Sequence, residues 1–224
     1  MGVAVVIPAH NMGATIQRAI ESALEADEVL IVNDASTDNT DDVAFAMCRR
    51  HLNVWMIGTQ AQFPAGPAYA RNAAITHCHH ELIVPLDADD EFLPGGLAAL
   101  RAAYEPGCFV YGGYWQEDVA SGEIREIFPP PAGMLHRKNV ANATFLFSKA
   151  DWQRAGGYPM AFTLGAEDYA FMCALVAAGV RPIRIEQAVY RYTKSSTGRA
   201  AKCAQRWPLI QQMIREHYPE VAHG

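Results

Sequence analysis

Short apolar runs and segments of helical periodicity alternate through the first hundred residues. The apolar runs are rich in β-branched residues and are each followed by proline, glycine or aspartate: Val3–Ile7, Glu28–Asn33, Val54–Ile57 and Leu82–Leu86. Such runs are typical of strands buried on both faces of a parallel sheet. The intervening segments place apolar residues on one face of a helix. This alternation predicts an α/β fold with a mainly parallel sheet flanked by helices.

The second half of the chain has a different pattern. Cys108–Trp115 and Glu123–Phe128 predict two antiparallel strands of a hairpin, and Ala143–Ser148 predicts a further strand. A helix is expected over Glu167–Ala178, ending at Gly179. No segment has the composition of a linker. We therefore expect residues 1–224 to form a single domain, with a helical tail over 200–224.

Composition excludes several classes of function. The net charge of −6 disfavours a broad nucleic-acid-binding face, so no nucleic-acid partner is expected. Five cysteines without a Cys-x-x-Cys pair indicate free thiols in a reducing compartment. No signal peptide and no apolar run of membrane-spanning length is visible, so a cytoplasmic location is expected.

Polar residues follow three of the predicted strands. His10 and Asn11 follow the first strand, Asp34 follows the second, and Asp87-Ala88-Asp89-Asp90 follows the fourth. Right-handed crossovers bring these strand ends to one edge, where such sheets bind ligands. Asp87 and Asp89 are separated by one residue and share a direction, which suits Mn²⁺ or Mg²⁺ beside a phosphate. An acidic turn before a helix remains the structural alternative.

Four segments together resemble the inverting glycosyltransferases of family 2, which have the GT-A fold. Their order and spacing match the family's blocks: Val5-Val6-Ile7-Pro8-Ala9-His10-Asn11, Val32-Asn33-Asp34-Ala35-Ser36-Thr37-Asp38-Asn39-Thr40, Gly66-Pro67-Ala68-Tyr69-Ala70-Arg71-Asn72 and Pro85-Leu86-Asp87-Ala88-Asp89-Asp90. Gly156-Gly157-Tyr158 with Glu167-Asp168 resembles a later, acceptor-side block. The resemblance covers about residues 3–192 and implies transfer of a sugar from a nucleoside diphosphate, here a UDP-sugar, to a hydroxyl acceptor.

The resemblance implies a donor site in residues 1–105. The nucleotide would lie against the segment that follows the first strand, which comprises Pro8, Ala9, His10 and Asn11. Asp34 would accept a hydrogen bond from the base, and Arg71 would neutralise the diphosphate. Asp87 and Ala88 would face the donor, with Asp89 and Asp87 binding the metal. As structural alternatives, Asp34 could cap a turn and Arg71 could be a surface charge.

The acceptor side is implied in residues 106–199. Gly157 and Tyr158 would lie beside the acceptor, which could be a saccharide or a lipid-linked alcohol. Asp168 would be the catalytic base of a single inverting displacement, and Glu167 would assist or orient it. Two acids that complement a helix N-terminus are the structural alternative.

One departure from the family concerns Thr193, which occupies a position where many members carry a histidine near the metal. Either metal binding is weakened, or Lys194 partly replaces the ion as a positive charge near phosphate. The alternative for Lys194 is an exposed loop residue.

Two other functions stay open at this point. A non-catalytic protein that binds sugar nucleotides fits the Thr193 departure. A sugar nucleotidyltransferase fits less well, because Ala9–Gly13 carries no Lys or Arg. Peripheral contact with a membrane is a further hypothesis for the basic triplet His136–Lys138 and for the apolar side chains of the tail, although packing on the domain also explains the tail.

Overall fold

Two sheets and eight helices are seen in the computed structural model, which describes residues 1–58, 63–131, 135, 142–163, 165–194, 203 and 205–222. In chain order the elements are β1 (Val3–Ala9), α1 (Ile16–Ser22), β2 (Glu28–Asn33), α2 (Thr40–Arg50), β3 (Val54–Gly58), α3 (Pro67–His77), β4 (Leu82–Pro85), β5 (Glu91–Phe92), α4 (Gly96–Ala102), β6 (Cys108–Asp118), β7 (Ile124–Ile127), β8 (Phe147–Ser148), α5 (Lys149–Arg154), α6 (Glu167–Ala177), β9 (Arg181–Lys194), α7 (Trp207–His217) and α8 (Pro219–Ala222).

The first sheet has the order β3-β2-β1-β4-β8. Its first four strands are parallel, and β8 pairs antiparallel with β4 at one edge. Both faces are covered, because side chains of β1 alternate between two cores. Val5 and Ile7 pack with α1 and α2, whereas Ala4 and Val6 pack with α3 and α6. This double burial explains why the strands read as continuous apolar runs.

The second sheet has the order β5-β9-β6-β7. β6 and β7 form the predicted antiparallel hairpin, with Trp115 opposite Glu126. The long strand β9 runs parallel to β6 and antiparallel to the short β5. The predicted α/β class, with a mainly parallel sheet and a smaller hairpin region, is therefore confirmed.

Several element boundaries differ from the sequence expectations. β5 was not predicted, because two residues between an acidic turn and a proline have no periodicity of their own. β8 is limited to Phe147–Ser148, although Leu146 bridges Val110 just before it. Pro208 stands in the first turn of α7 and opens that helix, since proline lacks only an N–H that the first turn leaves unpaired.

The tail packs on the domain. Ile210 and Ile214 of α7 are buried in the core that contains α6, and the ring of Trp207 stacks on Tyr169 at 5.4 Å between centroids. Packing therefore accounts for these apolar residues, while the basic triplet 136–138 lies outside the described residues. Within the described part of the chain, every helix is too short or too polar to cross a membrane.

The junction between the sheets supplies a stability prediction. A Cβ added at Gly96, at the start of α4, would lie 2.0 Å from the carbonyl oxygen of Val189 in β9. Backbone cannot yield as a side chain can, so Gly96→Ala is expected to lower the free energy of unfolding by about 1–3 kcal/mol. Urea denaturation measures this change.

Gly58→Ala is the matched control, because no atom lies within 4 Å of a Cβ at Gly58. We expect that variant to stay within about 0.5 kcal/mol of the parent. Equal stability of the two variants would contradict the close contact between α4 and β9.

Candidate active site

The ends of β1 and β2 are joined by polar contacts. Nδ1 of His10 lies 2.7 Å from the carbonyl oxygen of Asp34, and the Asn11 amide donates to Oγ of Ser36 at 2.9 Å. Asn11 has a φ of 55°, a left-handed conformation that non-glycine residues seldom adopt. Preceding them, Pro8 is half-buried and Ala9 is buried within β1. The structure thus brings the first two predicted donor segments together at one sheet edge.

The Asp34 carboxylate is 3% exposed and organises the chain before α3. It accepts hydrogen bonds from the backbone amides of Ala65 at 2.9 Å and Gly66 at 2.7 Å. Gly66 has a φ of 94° and immediately precedes Pro67, the first residue of α3. Asp34 therefore connects the end of β2 to the helix that carries Arg71. A contact between Asp34 and a base stays a prediction.

Three carboxylates converge in the acid turn, which we define as residues Asp87–Asp90 between β4 and β5. Asp87, Asp89 and Asp90 each offer an oxygen atom, and these atoms lie within 4.8 Å of one another. The intervening Ala88 is buried and packs in the core on the α1 side of the sheet. An all-oxygen set of this kind matches the ligand preference of Mg²⁺ and Mn²⁺. Asp90 extends the pair of acids expected from the sequence.

The acid turn is fixed from β9 and α1. The Thr193 amide donates to Oδ1 of Asp90 at 2.8 Å, and Oγ1 of Thr193 donates to the carbonyl oxygen of Asp89 at 2.6 Å. Arg18 donates to the same carbonyl at 3.0 Å. Thr193 thus orients the turn through its backbone and hydroxyl. Sequence reasoning missed Arg18, because the contact spans 71 residues and depends on packing.

The crowding of these acids perturbs their ionisation. Burial and the neighbouring Asp87 raise the pKa of Asp89 to about 6. Burial, Asp87 and Asp89 also raise the pKa of Asp90 well above its ordinary value. Each charge is thus destabilised by desolvation and by its like-charged neighbours, and a bound cation would relieve the repulsion. The electrostatics of the turn fit a divalent metal.

The Arg71 guanidinium is 2% exposed, and two carboxylates share it. Nη2 donates to Oδ1 of Asp87 at 2.5 Å, and Nη1 donates to Oε1 of Glu167 at 2.8 Å. Burial alone would lower the pKa of Arg71, but Asp87 and Glu167 outweigh it and raise that pKa. Arg71 is therefore neither a surface charge nor an exposed guanidinium; it links the acid turn to α6.

Glu167 and Asp168 begin α6. The residue before them, Ala166, has a φ of 62°, so the chain turns sharply into the helix. Glu167 is buried against Arg71, whereas Asp168 is half-buried and accepts a hydrogen bond from the Tyr169 amide at 2.8 Å. Burial and Glu167 raise the pKa of Asp168 to about 6, and Arg71 opposes the shift. An ionised carboxylate with a pKa in this range is suited to accept a proton near neutral pH.

Gly157 and Tyr158 lie in the interior. The Tyr158 ring is 1% exposed, stacks on Phe171 at 4.1 Å and lies 5.4 Å from Cζ of Arg71. Asn72 accepts a hydrogen bond from the Tyr158 amide and donates one to its carbonyl. The buried Tyr158 ring thus packs against one face of the Arg71 guanidinium. The place of Gly157 and Tyr158 on the acceptor side stays a prediction.

Lys194 points away from the acid turn. Its ammonium lies 3.3 Å from Oδ2 of Asp118 in β6. Successive side chains of a strand point to opposite faces. Because Thr193 points toward Asp89, the next side chain, Lys194, points to the other face of β9. It lines a cavity of about 130 Å³ with Gln116, Asp118, Glu123 and Arg125. Lys194 thus pairs with the hairpin, and its role beside phosphate stays a prediction.

Comparison with known sequences gives a consistent result. The sequence pattern described as glycosyl transferase family 2 matches residues 4–150. The succinoglycan biosynthesis protein ExoU of Rhizobium meliloti is 34% identical over 203 residues, covering 80% of this chain and 58% of ExoU. WfaP of Escherichia coli, a UDP-Glc:alpha-D-GlcNAc-diphosphoundecaprenol beta-1,3-glucosyltransferase, is 27% identical over 191 residues, covering 80% of this chain and 72% of WfaP.

Solved structures share the fold. TarS residues 1–349 of S. aureus, in complex with UDP-GlcNAc, matches with a TM-score of 0.72 and 18% identity, covering 90% of this chain and 61% of TarS 1–349. The mannosyltransferase PcManGT of Pyrobaculum calidifontis, in complex with GDP-Man and Mn²⁺, matches with a TM-score of 0.69 and 20% identity, covering 91% of this chain and 60% of PcManGT. The chain therefore spans about three fifths of these two structures and of ExoU.

The fold is the GT-A fold expected from the sequence. The family match covers well over half of the chain, and the match to ExoU extends it beyond residue 150. From its sequence and its architecture, this protein belongs to glycosyl transferase family 2.

Proposed function

We propose that this enzyme transfers a sugar from a UDP-sugar to a hydroxyl acceptor, with inversion at the anomeric carbon and with Mn²⁺ or Mg²⁺ at the acid turn. One observation carries the proposal: Arg71 contacts both Asp87 of the acid turn and Glu167, the neighbour of Asp168. The groups suited to bind a metal and a diphosphate thus border the group suited to take a proton. A single displacement needs the diphosphate and the base on opposite sides of the reacting anomeric carbon.

The donor half of the site comprises the acid turn and the ends of β1 and β2. Asp87, Asp89 and Asp90 would hold the metal, which when bound neutralises charge on the departing diphosphate. His10, Asn11 and Asp34 would lie against the nucleoside. TarS has been solved with UDP-GlcNAc, and WfaP is named for UDP-Glc, which favours a uridine donor. Because PcManGT has been solved with GDP-Man, a GDP-sugar is the first alternative donor to compare.

The acceptor half contains α6. Asp168 would take the proton of the acceptor hydroxyl as its oxygen bonds to the anomeric carbon. The bond from that carbon to the diphosphate oxygen breaks, and its electron pair leaves with the nucleoside diphosphate. No group of the enzyme forms a bond to the sugar, so the configuration inverts. Because WfaP is named for a diphosphoundecaprenol-linked acceptor, a lipid-linked saccharide is the acceptor class to test first.

Asp168→Asn tests the catalytic base. The amide cannot accept the proton, so release of UDP from UDP-sugars in the presence of Mn²⁺ is expected to fall by about 10²–10⁴-fold. UDP binding with Mn²⁺, measured by calorimetry, is expected to stay within about twofold, because the base acts only in the transition state. A panel of UDP-Glc, UDP-GlcNAc and GDP-Man identifies the donor for the assay.

Asp42→Asn is the matched control, because Asp42 is an exposed acid in the first turn of α2. It removes the same charge from the same kind of position and is expected to keep full turnover. Turnover of Asp168→Asn at the parental rate would overturn the assignment of the base.

Asp89→Asn tests the metal site. Loss of one carboxylate ligand is expected to weaken Mn²⁺ binding in the presence of UDP by at least about tenfold, as followed by electron paramagnetic resonance. Asp118→Asn serves as the control, since Asp118 pairs with Lys194 at the hairpin. Parental Mn²⁺ affinity in Asp89→Asn would show that the acid turn does not hold the ion.

A further inference from the structure

The guanidinium of Arg71 contacts both the donor half of the site, at Asp87, and the acceptor half, at Glu167. It comes from α3, whereas Asp87 follows β4 and Glu167 begins α6, so three separate elements meet at one guanidinium. Its burial leaves it little freedom to move, and the two ion pairs use different nitrogens. An arginine held by two carboxylates is a rigid spacer between them.

We propose that Arg71 is a positioning residue that fixes Asp168 toward the acid turn, acting through Glu167 and Asp87. This inference rests on the proposed function of Asp168 as the base. In this role, Arg71 positions the base on the acceptor side and does not contact the diphosphate directly.

The geometry around Asp168 supports this role. Asp168 follows Glu167 directly, so the ion pair that anchors Glu167 also fixes the first turn of α6. Tyr158 supports the guanidinium from beneath, and Asn72 holds Tyr158 by its backbone. The supports of Arg71 are therefore themselves buried and hydrogen-bonded.

The charges around Asp168 give the proposal a measurable consequence. Glu167 from α6 and Asp87 from the acid turn both raise the pKa of Asp168, whereas Arg71 from α3 lowers it. Tyr158, whose own pKa is raised by burial, faces the same group as a neutral phenol. Removing Glu167 and removing Arg71 should therefore shift the titration of Asp168 in opposite directions.

Two variants separate these effects. Glu167→Gln keeps a carbonyl oxygen that can accept from Arg71 and removes one charge with almost no change of shape. The double variant Arg71→Met/Glu167→Gln then removes the cation without leaving a buried, unpaired Glu167. Comparing the double variant with Glu167→Gln isolates the charge of Arg71.

The titration of Asp168 can be followed without any substrate. In protein labelled with ¹³C at the aspartate carboxyl carbons, the Asp168 signal is the one that Asp168→Asn lacks. Glu167→Gln is expected to lower the apparent pKa of Asp168 from its starting value of about 6. The double variant is expected to raise it by about one pH unit or more relative to Glu167→Gln.

Turnover gives the second readout. The base works when ionised, so kcat/KM for the UDP-sugar with saturating Mn²⁺ should fall as pH drops through the pKa of Asp168. The acidic limb of this pH profile should shift to lower pH in Glu167→Gln. It should shift to higher pH in the double variant relative to Glu167→Gln. Arg154→Met is the control, because Arg154 pairs with the buried Asp151 and the charge change is the same as for Arg71→Met. It is expected to leave both readouts unmoved.

The opposing shifts would support the positioning role. Lower activity with an unmoved titration would overturn it in favour of a purely structural Arg71. Loss of UDP affinity with an unmoved titration would also overturn it, in favour of contact with the diphosphate. If Asp168→Asn keeps its turnover while the NMR shifts appear as expected, the proposed base fails and the coupling stands.

Discussion

The ion pairs of the buried Arg71 are the constraint on which this site depends. Removing the guanidinium and the Glu167 carboxylate from water costs several kcal/mol per ion, and good geometry must offset that cost. Here the geometry comes from three elements that are distant in sequence: α3, the turn after β4 and the start of α6. That arrangement links the acid turn directly to the start of α6, where Asp168 lies.

The core of the first sheet packs up to this junction. α3 and α6 cover the same face of the first sheet, in the core that also holds Phe147 and Phe171. Tyr158 stacks on Phe171 and beneath Arg71, so the aromatic core continues up to the guanidinium. On the other side, β9 and α1 hold the acid turn through Thr193 and Arg18. The acid turn, which follows β4 of the first sheet, is thus also held by β9 of the second sheet.

Local pattern made much of this architecture predictable from the sequence. The buried strands read as apolar runs, and the acids at the end of β4 follow such a run directly, so their place at the sheet edge could be inferred. The pair of Arg71 and Glu167 spans 96 residues and has no local signature. Tyr158 follows two glycines, a setting equally suited to an exposed or a buried ring. The pair of Lys194 and Asp118 also has no local signature, because it joins residues of β9 and β6.

The most direct test is a crystal structure of the enzyme with UDP and Mn²⁺, in which anomalous scattering locates the metal. The account predicts a manganese peak among Asp87, Asp89 and Asp90, with the Asp168 carboxylate opening into the cavity that holds the diphosphate. A manganese peak elsewhere, or an Asp168 closed off from the bound nucleotide, would contradict it.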